Sequence, residues 1–146
     1  MVWFGSIESA ISSYKQAITI DPNHASAHNN MGAVLDEKGE PDGAIESYKR
    51  AISIDPNNAG YHYNLGVALD KTGNPDGVIT SFQRAISIDP THIGAHSNLG
   101  IALGQKGDFD ASIASFKQAL SLDPTYANAR EGLALLLRAK QQGIAP

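Results

Sequence analysis

Apolar residues along the chain fall into short helical faces separated by polar turn signals, and the pattern recurs. Ala27, Met31, Val34 and Leu35 lie three or four apart, which predicts a first helix from about Ala25 to Lys38. Gly39 closes it, because glycine tolerates the left-handed backbone found past a helix end. A second, more apolar helix carries Ile45, Tyr48, Ala51, Ile52 and Ile54 at helical spacing. It opens on Glu40-Pro41, a cap position followed by a proline in the first turn. It stops at Asp55-Pro56, since proline disfavours helical geometry in the residue before it.

The two-helix pattern repeats every 34 residues. Ile20-Asp21-Pro22-Asn23 returns as Ile54-Asp55-Pro56-Asn57, Ile88-Asp89-Pro90-Thr91 and Leu122-Asp123-Pro124-Thr125. Gly5, Gly39, Gly73 and Gly107 keep the same interval, as do Ala17, Ala51, Ala85 and Ala119. Asn74-Pro75 and Asp108-Phe109 open the later second helices, with Asp108 a better cap than Glu40. The phase divides residues 1–146 into a half repeat (1–24), three full repeats (25–58, 59–92, 93–126) and a final half (127–146). The first half holds only a second helix, about 7–20. The last holds only a first helix, Ala127 to about Gln142. The expected fold is all-α, with about eight helices.

Composition excludes several functions. Cysteine is absent, which removes disulfides, thiolate zinc sites and a cysteine nucleophile. The formal charge is -4 with both signs interspersed, and the basic stripe of a nucleic-acid binder is missing. The apolar run Met1–Gly5 ends at Ser6-Ile7-Glu8-Ser9, too soon for a signal-peptide core, and no stretch approaches the length of a membrane span. The default location is the cytoplasm. No G-x-S-x-G elbow or comparable motif organises a nucleophile, so no enzyme and no cofactor is expected.

The residues resemble the tetratricopeptide repeat, whose signature is W-x2-L-G-x2-Y, then A-x3-F, then P. Here the units read His28-x2-Met31-Gly32-x2-Leu35, Ala44-x3-Tyr48, Pro56; then His62-x2-Leu65-Gly66-x2-Leu69, Val78-x3-Phe82, Pro90. The third reads His96-x2-Leu99-Gly100-x2-Leu103, Ser112-x3-Phe116, Pro124. Histidine for tryptophan, leucine for tyrosine, and Val78 and Ser112 for alanine are the departures. The resemblance implies a right-handed superhelical α-solenoid of antiparallel helix pairs. Its concave groove, lined by first helices, would bind an extended peptide or protein segment.

Two columns of that inner face stand out. Asn30, Asn64 and Asn98 form an asparagine ladder, interrupted at Gly132, and a carboxamide can both donate to and accept from a peptide backbone. Ala33, Val67, Ile101 and Leu135 form an apolar strip of growing size. Ala95–Leu99 is similar to repeats of O-linked N-acetylglucosamine transferases, where an asparagine ladder grips peptide. The alternative is that these asparagines bond between neighbouring first helices. Tyr63 sits in the same face, and Asp36 and Asp70 would favour basic residues in the partner. The lysine and arginine clamp of chaperone-binding relatives is incomplete, since only Lys71 and Arg138 are offered against Asp36, Glu37, Asp70 and Glu131.

Two further features bear on partners. His24/His28 and His92/His96 stand four apart, a spacing that suits a metal. However, His28, His62 and His96 fill a column held by a packed aromatic in the family, and no metal is expected. The terminal halves are complementary, which leads to the expectation of head-to-tail self-association. Ile7, Ile11 and Tyr14 would pack with Leu133, Leu136 and Leu137 of another copy.

Overall fold

A computed structural model describes residues 4–144, with Phe4 placed by its backbone alone. Met1–Trp3, Ala145 and Pro146, part of the two expected half repeats, lie outside the described residues. The described residues form eight α-helices and no strand. In order they are α1 (Phe4–Ile20), α2 (Ala25–Lys38), α3 (Pro41–Ile54), α4 (Ala59–Lys71), α5 (Pro75–Ile88), α6 (Ile93–Lys106), α7 (Phe109–Leu122) and α8 (Ala127–Gln141). The helix α1 starts three residues before the expected Ile7, and the other predicted ends agree within a residue or two.

Local chemistry sets these boundaries. Gly39 and Gly107 take φ of 85° and 91°, and their N–H groups return to the carbonyls of the last turn. Asp108 accepts from the Ala111 N–H at 3.2 Å, whereas Glu40 makes no cap bond and pairs with Lys38 at 2.9 Å. In each Asp-Pro turn the aspartate carboxylate receives a backbone N–H two residues on, as Asp55 does from Asn57 at 3.2 Å. At Asp89 and Asp123 the following threonine adds its hydroxyl, and these bonds hold both carboxyls below the usual carboxylate range.

The helices fall into two compact units, α1 to α4 and α5 to α8, divided between Asn74 and Pro75. In the first, α1 packs on α2, α2 on α3, and α3 on α4. Ile7, Ile11 and Met31 are buried together, with Tyr14, Ile18, Val34 and Leu35 packed around them. In the second, α5, α6, α7 and α8 pack in sequence, and α6 also meets α8. Phe116, Ala119 and Ala129 form its core with Ile93, Leu120, Tyr126, Leu133 and Leu136.

One close approach repeats within both units. A Cβ built on Gly32 would lie 2.7 Å from the Tyr48 ring, and one on Gly100 would lie 2.8 Å from the Phe116 ring. The glycine therefore lets the aromatic of a second helix rest on the backbone of its own first helix. Phe116 is held from the other side by Gly132 of α8. The column of small residues beside it, Ala44, Val78 and Ser112, is closed to solvent. Ser112 keeps its hydroxyl there by donating to the Gly100 carbonyl at 2.5 Å.

Candidate functional site

The inner-face residues of the first unit come from α2 and α4. Asn30 is exposed, while Asn64, Tyr63 and Val67 are half-buried. Asn64 donates from its side-chain amide to the Asn29 carbonyl oxygen at 3.0 Å, and Asn29 donates to Asn30 at 3.4 Å. Neighbouring first helices are thus tied by carboxamides, the structural role weighed for the ladder. This bond uses one of the two N–H groups of the Asn64 amide. Tyr61 and Ser26 hydroxyls meet at 3.3 Å between the same two helices.

The acidic end is less open than its sequence suggests. Lys71 of α4 reaches back to Asp36 of α2 at 2.6 Å, and the other Asp36 oxygen is buried without a partner. Burial, and then the Asp36 charge, push the Tyr48 hydroxyl up to about 12. Asp36 is therefore not a free acceptor for a basic partner, because the lysine one repeat on already neutralises it. Asp70 remains exposed.

A second set of lysines is also engaged. Lys38 bonds Glu8 at 3.0 Å, Lys106 bonds Asp76 at 2.7 Å, and Lys140 bonds Asp110 at 2.5 Å. Each joins the end of a first helix to the start of the preceding second helix. Bonds to Glu40 and then Glu8 raise the Lys38 pKa, and the Lys106–Asp76 pair raises that of the lysine and lowers that of the aspartate. Exposed as they are, they contribute little stability.

In the second unit the inner face is apolar and hollow. Between α6 and α8 lies a cavity of about 410 Å³, floored by Phe116 and walled by Gly100, Gly104, Gly132, Leu135 and Leu136. Ile101 stands on its rim 39% exposed, and Leu135 is 70% exposed. The hollow exists because two columns change together. Gly104 stands where earlier repeats carry Asp36 and Asp70, and Gly132 where they carry asparagine. Sequence reading marked the growing strip and the break at Gly132 but not the cavity they create. Asn98 is half-buried in this unit, and Ser97 beside it is wholly buried.

The histidines are structural. His24 and His92 cap α2 and α6, each accepting a backbone N–H on Nδ1 at 3.1 Å, from Ala27 and Ala95. His28, His62 and His96 donate from Nε2 to the carbonyls of Pro22, Pro56 and Pro90 at 3.0, 2.9 and 2.8 Å. One nitrogen of each ring is thereby committed to the turn before its helix. Among the described residues no group of three or more His, Cys, Asp or Glu is placed to hold a metal ion. Zinc in modest excess is expected to leave the melting temperature unchanged. A specific site at a hundred times its dissociation constant would add about 2.7 kcal/mol, readily seen by calorimetry.

The terminal residues divide. Ile7 and Ile11 are in the chain's own core against α2, which corrects the expectation that they meet another copy. The reason is phase: these two residues face the next first helix, not the missing one. Tyr14, Leu133 and Leu136 are half-buried, whereas Leu137 is 42% exposed. No described helix is long and apolar enough to cross a membrane.

Paired helices on a fixed repeat register, with an aromatic seated on glycine, define an α-helical repeat protein. The chain belongs to the tetratricopeptide repeat family. Models of that repeat match residues 5–39 and 34–73, and then 59–92 and 94–126. Comparison with curated proteins finds no significant match. Among solved structures, MamA is 28% identical with a TM-score of 0.89, over 94% of this chain and 80% of that one. YrrB, described as a TPR protein with an unusual peptide-binding site, is 24% identical with a TM-score of 0.82, over 94% and 71%. The first TPR of Spaghetti (RPAP3), bound to an HSP90 peptide, is 20% identical with a TM-score of 0.78, over 80% and 93%. These likenesses place the chain in the fold of a helical solenoid.

Proposed function

We propose that the chain is a protein-interaction scaffold whose inner faces bind an extended peptide. The observation that carries this reading is the apolar hollow of the second unit, with Ile101 and Leu135 at its mouth. Its polar floor atom, the Ser112 hydroxyl, is already bonded to Gly100, so the hollow suits an apolar side chain. In the first unit, Asn30 and Asn64 supply backbone-type donors and acceptors beside Tyr63 and Val67, and Asp70 supplies a negative charge. Asn98 would play the same part in the second unit. The likeness of Ala95–Leu99 to the repeats of O-linked N-acetylglucosamine transferases supports the asparagine role. Solved relatives of this fold that hold peptides support the class of ligand.

Panning a random peptide library on the intact chain tests this. Selected peptides should be rich in large apolar residues and bind the Ile101→Glu/Leu135→Glu variant at least tenfold more weakly. Burying one such side chain contributes about 1.5–3 kcal/mol, or roughly ten- to a hundredfold in affinity. Equal affinity for both proteins, with helix content unchanged, would move the binding site elsewhere.

A further inference from the structure

In the first unit three side-chain bonds tie α2 to α4, each between residues 35 apart. The Ser26 and Tyr61 hydroxyls meet at 3.3 Å, Asn64 donates to Asn29 at 3.0 Å, and Lys71 donates to Asp36 at 2.6 Å. Two repeats later, in α6 and α8, the same three places hold Gly94 and Ala129, Ser97 and Gly132, and Gly104 and Ala139. None of these pairs can form a bond between its side chains. The loss leaves a trace. The Ser97 hydroxyl is buried without a partner, where its counterpart Asn29 bonds Asn64.

Three of the altered positions, Gly104, Gly132 and Ala139, line the hollow, so it lies where the tethers are missing. Every side chain that lines it is uncharged, and the Ser112 hydroxyl is spent on Gly100. The part of an occupant buried there is therefore uncharged as well. Gly104 and Gly132 offer bare backbone, and Phe109 and Phe116 offer rings. Elsewhere in this fold the group that lies on bare glycine backbone is an aromatic ring: Tyr48 on Gly32 and Phe116 on Gly100. A flat ring fits between backbone walls that a branched side chain would bridge unevenly, and rings gain further from ring neighbours.

We infer that an aromatic side chain of the bound peptide occupies the hollow and ties α8 to α6, as three bonds tie α4 to α2. The inference rests on the reading of the hollow as the peptide site, and adds the class of the anchor and its effect. At the three altered places α6 and α8 have only apolar or backbone surface, and apolar contact is not directional. A ring that touches Ile101 on one wall and Leu135 on the other bridges the two helices. A small side chain reaches only one of them. The first unit needs no such bridge, because its own side chains already fix the two first helices.

Titration of the full-length chain with three capped amino acids tests the inference, read on the NMR methyl signals of Ile101 and Leu135. N-acetylphenylalaninamide should bind about three- to tenfold more tightly than N-acetylleucinamide, the margin that ring packing adds beyond buried area. N-acetylalaninamide should leave both methyl signals unmoved. With the aromatic probe at about ten times its dissociation constant, amide exchange in α8 should slow about tenfold, while that in α2 and α4 stays the same. Gly104→Asp/Ala139→Lys rebuilds the pair of Asp36 and Lys71 at the same two places. It should slow α8 exchange without any probe and lose the aromatic preference. Circular dichroism checks its folding, and Gly104→Ala is a milder filler with the same expected loss of preference. Equal binding of the phenylalanine and leucine amides at the hollow overturns the inference and leaves the peptide site standing. Unchanged α8 exchange in the aromatic complex overturns it as well. If no probe moves either methyl signal, the peptide site itself falls with it.

Discussion

Replacing Phe116 by alanine is expected to destabilise the protein by about 3–5 kcal/mol, the usual range for deleting a buried aromatic. The ring is 2% exposed and is clasped between the backbones of Gly100 and Gly132. Neither glycine has a side chain that can move into the space, so the cavity collapses poorly. Three helices meet at this ring, and α6, α7 and α8 should loosen together. Repeat proteins transmit such damage mainly to neighbours, so α1, α2 and α3 should keep most of their amide protection. Urea unfolding gives the total loss, and hydrogen exchange gives its distribution. A loss below about 1 kcal/mol, small for a buried aromatic, would remove the ring from its central place.

Ile11→Glu should be nearly as damaging, and locally so. Ile11 is 6% exposed in the apolar cluster with Ile7 and Met31, so a carboxylate there would be buried among hydrocarbon. An unpaired buried charge costs several kcal/mol, more than the packing of α1 on its single neighbour α2 can offset. The expected result is loss of the helical signal of the 17 residues of α1, with α3 to α8 retained. The exposed Leu137→Glu should change stability by less than about 0.5 kcal/mol. An Ile11→Glu chain that keeps its full helix content would contradict the burial described.

The sequence by itself determined everything whose cause lies within one or two turns of chain. The 34-residue period, the glycine stops at Gly39 and Gly107, the Asp-Pro ends and the superior cap at Asp108 all depend on neighbouring residues. The family pattern also marked Gly32 and Gly100, because the signature records the same glycine. The structure added the reason, an aromatic ring seated on the backbone.

Tertiary structure alone decided which faces are spent and which are free. Ile7 and Ile11 read as an apolar face without a partner, but helical phase turns them onto α2 and leaves Ala10, Tyr14 and Ala17 open. Asp36 reads as a free acid, but Lys71 lies 35 residues later and only helix stacking brings the two together. Asn64 reads as a ligand donor, and the same stacking gives one of its N–H groups to Asn29. The hollow beside Ile101 and Leu135 needs Gly104, Gly132 and Phe116 from three helices at once. Local sequence fixes where a helix begins, ends and carries its apolar residues. Contacts some 30 residues apart fix which of those residues still have a surface to offer.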